Sequence, residues 1–470
     1  MTSQTPTRPL RVSAPTPSQR ALQFKRRMRL ADLLVIAGWT SGAASIALYL
    51  GYGGAGQFGT LGAAVTSLGI LAGLVGTDLI LVMLILAARI PIIDRAVGHD
   101  RAMAAHRALG KPALYLILAH VVLLIVGYGI QQGFNPIAET VALWQMPDMP
   151  LAFLGFGLLI AVVVTSLVVV RRKFRYEFWY VVHLLSYAAV ITALPHQFSI
   201  GGLLANGTLQ RVYWIALYVL ALGSILTFRV IEPIVKSFQH GIRVTSVEAV
   251  APGVANIHLS GRKLKDLDSD GGQFFVWRFW TAKTWWHSHP ISLSSVPTDT
   301  TARITVRALG NGSTRLGRLP RGTRVTIEGP YGLFTEAART SPKLAIIAAG
   351  IGVTPVRALL EHSRLVPGEA TILLRASSED ETYLWDEMYD LAAQRQARLY
   401  TSIGKRPSRG RTWLSAHDAQ RDVSLRSAFP DIRKSDLYIC GPQAWTDQVV
   451  AEARAVGLPD HQIHTERFDW

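Results

Sequence analysis

His106-Arg107-Ala108-Leu109-Gly110-Lys111-Pro112-Ala113-Leu114-Tyr115-Leu116-Ile117-Leu118-Ala119-His120 leads into an apolar run that continues to Ile130. A helix of about 20 residues spans the hydrocarbon core of a bilayer. Ionisable side chains inside such a segment are costly and require partners. The two histidines stand fourteen positions apart. That separation is about 21 Å of helix and nearly a whole number of turns, so both rings share one face.

Working outward, apolar segments recur at 31–50, 62–88, 151–170, 179–195 and 211–229, making six with 112–130. The fifth carries His183, and His196 follows thirteen positions later, directly after Pro195. Thirteen ideal steps put these two off a common face, and Pro195 is where a distortion would re-aim the second ring. Third and fifth spans of an alternating bundle run parallel. His106 then meets His183, and His120 meets His196. Neutral imidazole is an axial ligand of haem iron, so each pair can hold one b-type haem, stacked along the membrane normal. For each histidine alone, the other reading is a buried ring donating to a helix carbonyl. Asp78, inside the second segment, reads as a proton carrier, as a residue binding a polar group in the lumen, or as a group satisfied by a neighbouring helix.

Hydrophobic residues make up 49% of the chain and charged residues 17%, with a net charge of +16. Much of the positive surplus flanks the apolar segments: Lys25, Arg26, Arg27 and Arg29; then Arg89, Arg95, Arg101, Arg107 and Lys111; then Arg171, Arg172, Lys173 and Arg175. The alternate loops 51–61, 131–150 and 197–210 hold no Lys or Arg. The positive-inside rule puts the N-terminus and the second half in the cytoplasm of a multi-pass cell-membrane protein. The lipid bilayer, not a nucleic acid, thus accounts for the charge. The single cysteine, Cys440, excludes an internal disulfide, a CxxCH haem attachment and an all-cysteine iron–sulfur cluster from this chain alone. Residues 1–30 read as a basic, disordered tail, and 31–235 as the six-helix transmembrane bundle.

Beyond 240 the period changes to short alternating stretches separated by turn residues, predicting an antiparallel β-barrel over 240–335. It contains His289-Pro290-Ile291-Ser292, Gly310-Asn311-Gly312-Ser313-Thr314 and Glu328-Gly329-Pro330-Tyr331-Gly332. Glycine-rich turns beside hydroxyls can wrap a diphosphate; each can equally be a plain turn between strands. From 341 to 470, apolar strands alternate with amphipathic stretches, as in an α/β domain with a parallel sheet. Gly350-Ile351-Gly352-Val353-Thr354-Pro355 follows the first strand, where such folds bind nucleotides.

Together these residues resemble the ferric reductase and NADPH oxidase superfamily: a ferric-reductase-like transmembrane domain joined to a ferredoxin–NADP reductase-type module. The resemblance covers about residues 30 to 470. It implies two b-type haems on His106, His120, His183 and His196, with the fourteen and thirteen spacings of the family. It places His289, Pro290, Ile291 and Ser292 at FAD, with His289 beside the pyrophosphate and Ser292 near the reactive flavin nitrogen. Ile291 stands where the family has an aromatic ring. Gly312, Ser313 and Thr314 form the second phosphate-contacting turn. Gly350, Gly352, Thr354 and Pro355 form the nicotinamide-nucleotide loop, and Cys440, Gly441 and Pro442 lie near the nicotinamide. Phe468 and Trp470 stand for the ring covering the flavin, Trp470 being preferred. A 2′-phosphate needs cations. Arg375 and the cluster Lys405, Arg406, Arg409 and Arg411 favour NADPH over NADH. The implied path runs from cytoplasmic NADPH through FAD and the haems to an outer acceptor, oxygen or a ferric chelate. Other classes are an electron-donating subunit for another redox protein and a redox-sensing transporter.

Overall fold

The computed structural model describes residues 15–171, 173–174, 176–200, 202–407 and 412–466. They form two compact units: Leu30–Ile93 with His99–Val230, and Ile231–Trp470 together with Met1–Arg29 and Asp94–Gly98.

The first unit is built on long apolar helices: α1 (Pro17–Gly51), α2 (Leu61–Ala87), α3 (His99–Gln132), α4 (Met149–Ser166), α5 (Tyr176–Ser199) and α6 (Leu209–Leu226). Among the described residues, six helices are long and apolar enough to cross a membrane. Thr60 and Thr208 cap α2 and α6, their side chains accepting from Ala63 N and Arg211 N. In lipid there is no hydrophobic drive between helices, so close contact depends on small residues. The α2–α3 seam follows that rule. A Cβ on Gly69 would lie 3.0 Å from Leu124 Cδ2, and one on Gly76 would lie 2.8 Å from Ile117 Cδ1. From the α3 side, a Cβ on Gly127 would lie 2.7 Å from Thr66 N. Helix α5 runs through Pro195 to Ser199 without a break.

In the second unit, α7 (Glu232–His240) leads into β1 (Arg243–Ala251), β2 (Val254–Ser260), β3 (Phe274–Phe279), β4 (His289–Ser292), β5 (Thr301–Arg307) and β6 (Val325–Tyr331). These strands correct the barrel expectation. They form two three-stranded sheets, β1-β2-β5 and β4-β3-β6, which meet at the isolated bridges Arg243–Arg324 and Leu293–Ile304. Single bridges, not a continuous ladder, join the two sheets, so no closed barrel forms. The β1–β2 register shifts between Val244 and Ser246, and the β3–β6 register shifts between Phe274 and Val276. The four-residue β4 also contains Pro290, which has no N–H to donate. Ile257 and Ile304 from one sheet and Trp277 and Ile327 from the other share one core.

The expected parallel sheet is present. Strands β7 (Lys343–Ala349), β8 (Ala370–Ala376), β9 (Arg398–Ile403), β10 (Ser435–Cys440) and β11 (Ile463–Glu466) take the order β11-β10-β7-β8-β9. Ile346 and Tyr438 pack on one face with Val356 and Leu359 of α8 (Val353–His362), while Ile347 and Ile439 pack on the other with Val449.

The tail expectation is also corrected. Helix α1 begins at Pro17, and residues 17–29 belong to the second unit. Arg20 and Phe24 make contacts there that a composition-based reading of disorder does not anticipate. A Gly127→Ala substitution drives a methyl into Thr66 and destabilises the helical unit by about 1–3 kcal/mol. A lowered melting temperature in detergent checks this, and an unchanged one contradicts the packing described for the seam.

Candidate functional site

In the helical unit, α3 and α5 bring together the histidines singled out from sequence. The rings of His106 and His183 have centroids 6.2 Å apart at an interplanar angle of 68°. Two imidazoles bound to opposite sides of one metal ion, with nitrogens at about 2 Å, have centroids about 6 Å apart. His120 and His196 line one cavity of about 620 Å³, together with Gly73, Thr66, Tyr128, Gln131 and Trp214.

The packing of α2 settles which ring nitrogen is free. His106 Nδ1 lies 3.0 Å from the Met83 carbonyl oxygen, and His120 Nδ1 lies 2.9 Å from that of Gly69. A carbonyl only accepts, so each Nδ1 carries the proton and each Nε2 keeps its lone pair. A Cβ on Gly73 would collide with the His120 ring, so glycine is required for this approach. Around His183, Ser166 Oγ donates to Val162 O at 2.7 Å and accepts from Trp179 Nε1 at 3.2 Å, with His183 Nδ1 at 3.4 Å. Trp179 also stacks on the His183 ring at 5.0 Å. The His196 Nδ1 is buried and has no hydrogen-bond partner among the described residues. Sequence reading left these ring partners unnamed, because backbone carbonyls carry no residue-type signal.

Asp78 is fully buried. Its Oδ1 accepts from Ser41 Oγ at 2.5 Å and from Tyr213 OH at 3.1 Å. Neighbouring helices therefore satisfy part of this carboxyl, one of the three sequence readings.

In the second unit, His289 and the Gly310–Thr314 turn come together: a Cβ on Gly312 would lie 3.2 Å from His289 Cε1. His289 Nε2 and Ser292 Oγ are buried and, among the described residues, have no hydrogen-bond partner, whereas buried polar atoms are ordinarily paired. The hydroxyls of the turn are used locally. Ser313 Oγ accepts from Leu309 N at 2.9 Å and Gly310 N at 3.1 Å, and Thr314 Oγ1 donates to Gly310 O at 2.8 Å.

The Gly350–Gly352 loop packs against the end of β10, where a Cβ on Gly352 would collide with the Cys440 carbonyl. Gly350 has φ +54°, a left-handed conformation that favours glycine. Thr354 Oγ1 donates to Ile351 O at 3.0 Å and Pro355 is buried. Gly441 packs on Trp445, and Pro442 precedes the helix Gln443–Ala455. Cys440 is fully buried, and burial pushes its thiol up. Arg375, 4% exposed, donates to the carbonyls of Ala376, Ser402 and Gly404, so it braces the strand ends. Arg406 Nη1 reaches Gln448 Oε1 at 3.3 Å. Arg409, Phe468 and Trp470 lie outside the described residues.

Sequence reading missed Arg307. It ends β5, pairs with Glu381 at 3.0 Å, lies over the Tyr383 ring at 5.8 Å, and has Nη1 3.7 Å from where a Gly350 Cβ would be. Its position at a strand end before a glycine-rich turn was the available signal.

Burial, then His287 and Arg278, push His289 down from 6.5 to about 4, so the ring is neutral at pH 7. An unfolded chain binds this proton as pH falls below the ordinary value, while the folded chain does not until near 4. Stability is therefore full above that window and lost as pH falls through it. His289→Gln should flatten this part of the acid-stability profile of the ligand-free protein. The check is the urea midpoint against pH, and equal slopes in both proteins would contradict the assignment.

Residues 72–194 match the family model described as the ferric reductase like transmembrane component. The second half is similar to ferredoxin–NADP reductase B of Sorangium cellulosum, 32% identical over 170 residues, covering 34% of this chain and 68% of that protein. It is also similar to NADH-cytochrome b5 reductase 1 of Candida glabrata, 26% identical over 192 residues, covering 38% of this chain and 67% of that protein. Among solved structures, the flavohem-like FAD/NAD-binding domain of nitric oxide dioxygenase from Vibrio cholerae aligns with a TM-score of 0.40 and 22% identity, over 48% of this chain and 98% of that one. The chain belongs to the ferredoxin–NADP reductase family, with its reductase module fused to a ferric-reductase-like transmembrane component, and is an NAD(P)H-dependent transmembrane oxidoreductase.

Proposed function

We propose that this protein draws reducing equivalents from NADPH on the cytoplasmic side of the cell membrane and delivers single electrons to an acceptor outside, oxygen or a ferric chelate. The observation that carries this reading is the arrangement of the four histidines, with His106 facing His183 at 6.2 Å and His120 and His196 on one cavity of about 620 Å³. Each pair would hold one b-type haem. The Met83 and Gly69 carbonyls would orient His106 and His120 and raise the basicity of Nε2. Ser166 and Trp179 would do the same for His183.

His289 and Ser292 would bind FAD, with their unpartnered Nε2 and Oγ as donors and the Gly312, Ser313 and Thr314 turn beside the pyrophosphate. Gly350, Gly352, Thr354, Pro355, Gly441 and Pro442 would seat the nicotinamide nucleotide next to Cys440. Arg307 would add positive charge at that loop. Arg406 and Arg409 would take the 2′-phosphate on a loop braced by Arg375. Trp470, with Phe468, would cover the flavin. When bound, a flavin would accept one hydride, an electron pair, and release it as two single electrons, while haem would carry one electron at a time. The protein's part is to orient these groups, exclude water and tune their potentials.

Gly73→Ala supplies the test. The added methyl displaces His120, so haem content should fall from two to one per chain. Acceptor reduction should fall about 10- to 100-fold, the scale for loss of metal support, while NADPH still reduces the flavin. Haemochrome analysis and parallel assays for superoxide and ferric-chelate reduction read these outcomes. Retention of both haems with full activity would overturn the assignment of His120.

A further inference from the structure

The flavin-side and nucleotide-side sheets are joined by the short connection 332–342, between Tyr331 of β6 and Lys343 of β7. Within it Glu336 is 9% exposed and Arg339 1% exposed. Two contacts tie this connection to the nucleotide side. Tyr438 OH of β10 donates to Thr335 O at 2.6 Å, and Arg339, which donates to Arg364 O beyond α8, lies 3.1 Å from Glu336 Oε1.

A third tie comes from the other end of the chain. Arg20 on α1 is 3% exposed, and its Nη1 donates to the same Glu336 Oε1 at 3.0 Å. One turn later the Phe24 ring meets His461 at 5.0 Å. Residues 94–98 also reach the connection, since a Cβ on Gly98 would lie 2.9 Å from Leu333 Cδ1. An arginine at a helix start would ordinarily stay in water. Burying it in an ion pair adds little stability but specifies one geometry.

We infer that Arg20 is a positioning residue: the N-terminal end of α1 straps the connection and sets how the flavin-binding and nucleotide-binding sheets meet. Hydride transfer needs the reacting atoms about 3–3.5 Å apart, so a loosened strap lowers the productive fraction. The nucleotide loop itself is untouched, so affinity for NADPH stays the same. The strap's kinetic consequence rests on the proposed flavin–nicotinamide reaction; the strap itself does not.

The test uses the full-length protein in detergent with Arg20→Ala, Arg20→Lys and Phe24→Ala. Hydrogen exchange across 332–342 is read without cofactor, and single-turnover flavin reduction is read against NADPH concentration. Arg20→Ala should raise exchange in the connection and lower the saturating rate about tenfold or more, with the half-saturating NADPH concentration unchanged. Arg20→Lys should restore most of the rate, and Phe24→Ala should give a smaller loss of the same kind. Phe24→Ala and Arg20→Lys decide the matter if Arg20→Ala does not fold. Unchanged exchange and rate, or a loss that Lys does not rescue and that weakens NADPH binding, overturns the inference. If the wild type shows no flavin reduction, the reaction proposed above falls and exchange alone judges the strap.

Discussion

The approach of α2 to α3 is the constraint on which the helical unit depends. Glycines at 69, 73 and 76 take the place of side chains that would collide with α3. The carbonyls of Gly69 and Met83 consequently lie within hydrogen-bonding distance of the His120 and His106 rings. A polar ring in an apolar bundle is costly unless paired. Here one nitrogen is paired by backbone and the other keeps its lone pair. The same contact thus holds the helices together, satisfies the buried rings and fixes their tautomer.

The second unit solves a different problem, holding its antiparallel sheets against its parallel one. Glycine again permits close contact, with Gly352 packed on the Cys440 carbonyl so that the Gly350–Gly352 loop and the end of β10 form one surface. Ion pairs span the two halves: Arg303 and Arg307 of β5 hold Glu387 and Glu381, at 2.8 and 3.0 Å, and Arg357 of α8 holds Glu387 from the nucleotide side. Each half thereby constrains the other through partly buried charge, which favours a single relative arrangement.

Much of this was legible in the residues. The six apolar runs stand out because each must fill a bilayer thickness, and the His106–His183 contact follows from the parallel direction of the third and fifth spans. The parallel sheet was legible from the apolar strand 344–349 and its glycine loop. The barrel was not, because closure depends on which strands pair, and here single bridges join the two sheets, whereas alternation reports only which side a residue faces. Residues 17–29 were misread because basic composition signals solvation, and only the distant Glu336 makes Arg20 a buried group. His196 showed the limit of ideal helix arithmetic: α5 continues through Pro195, and the ring still lines the cavity with His120.

The central claim is that reducing equivalents from the nucleotide reach metal centres held by the two histidine pairs. The most direct test is an anaerobic absorption spectrum of the purified, FAD-loaded wild-type protein before and after NADPH is added. The account predicts b-type haem at two per chain, reduced in full by the nucleotide. Protein without haem, or haem that stays oxidised while the flavin is reduced, would contradict it.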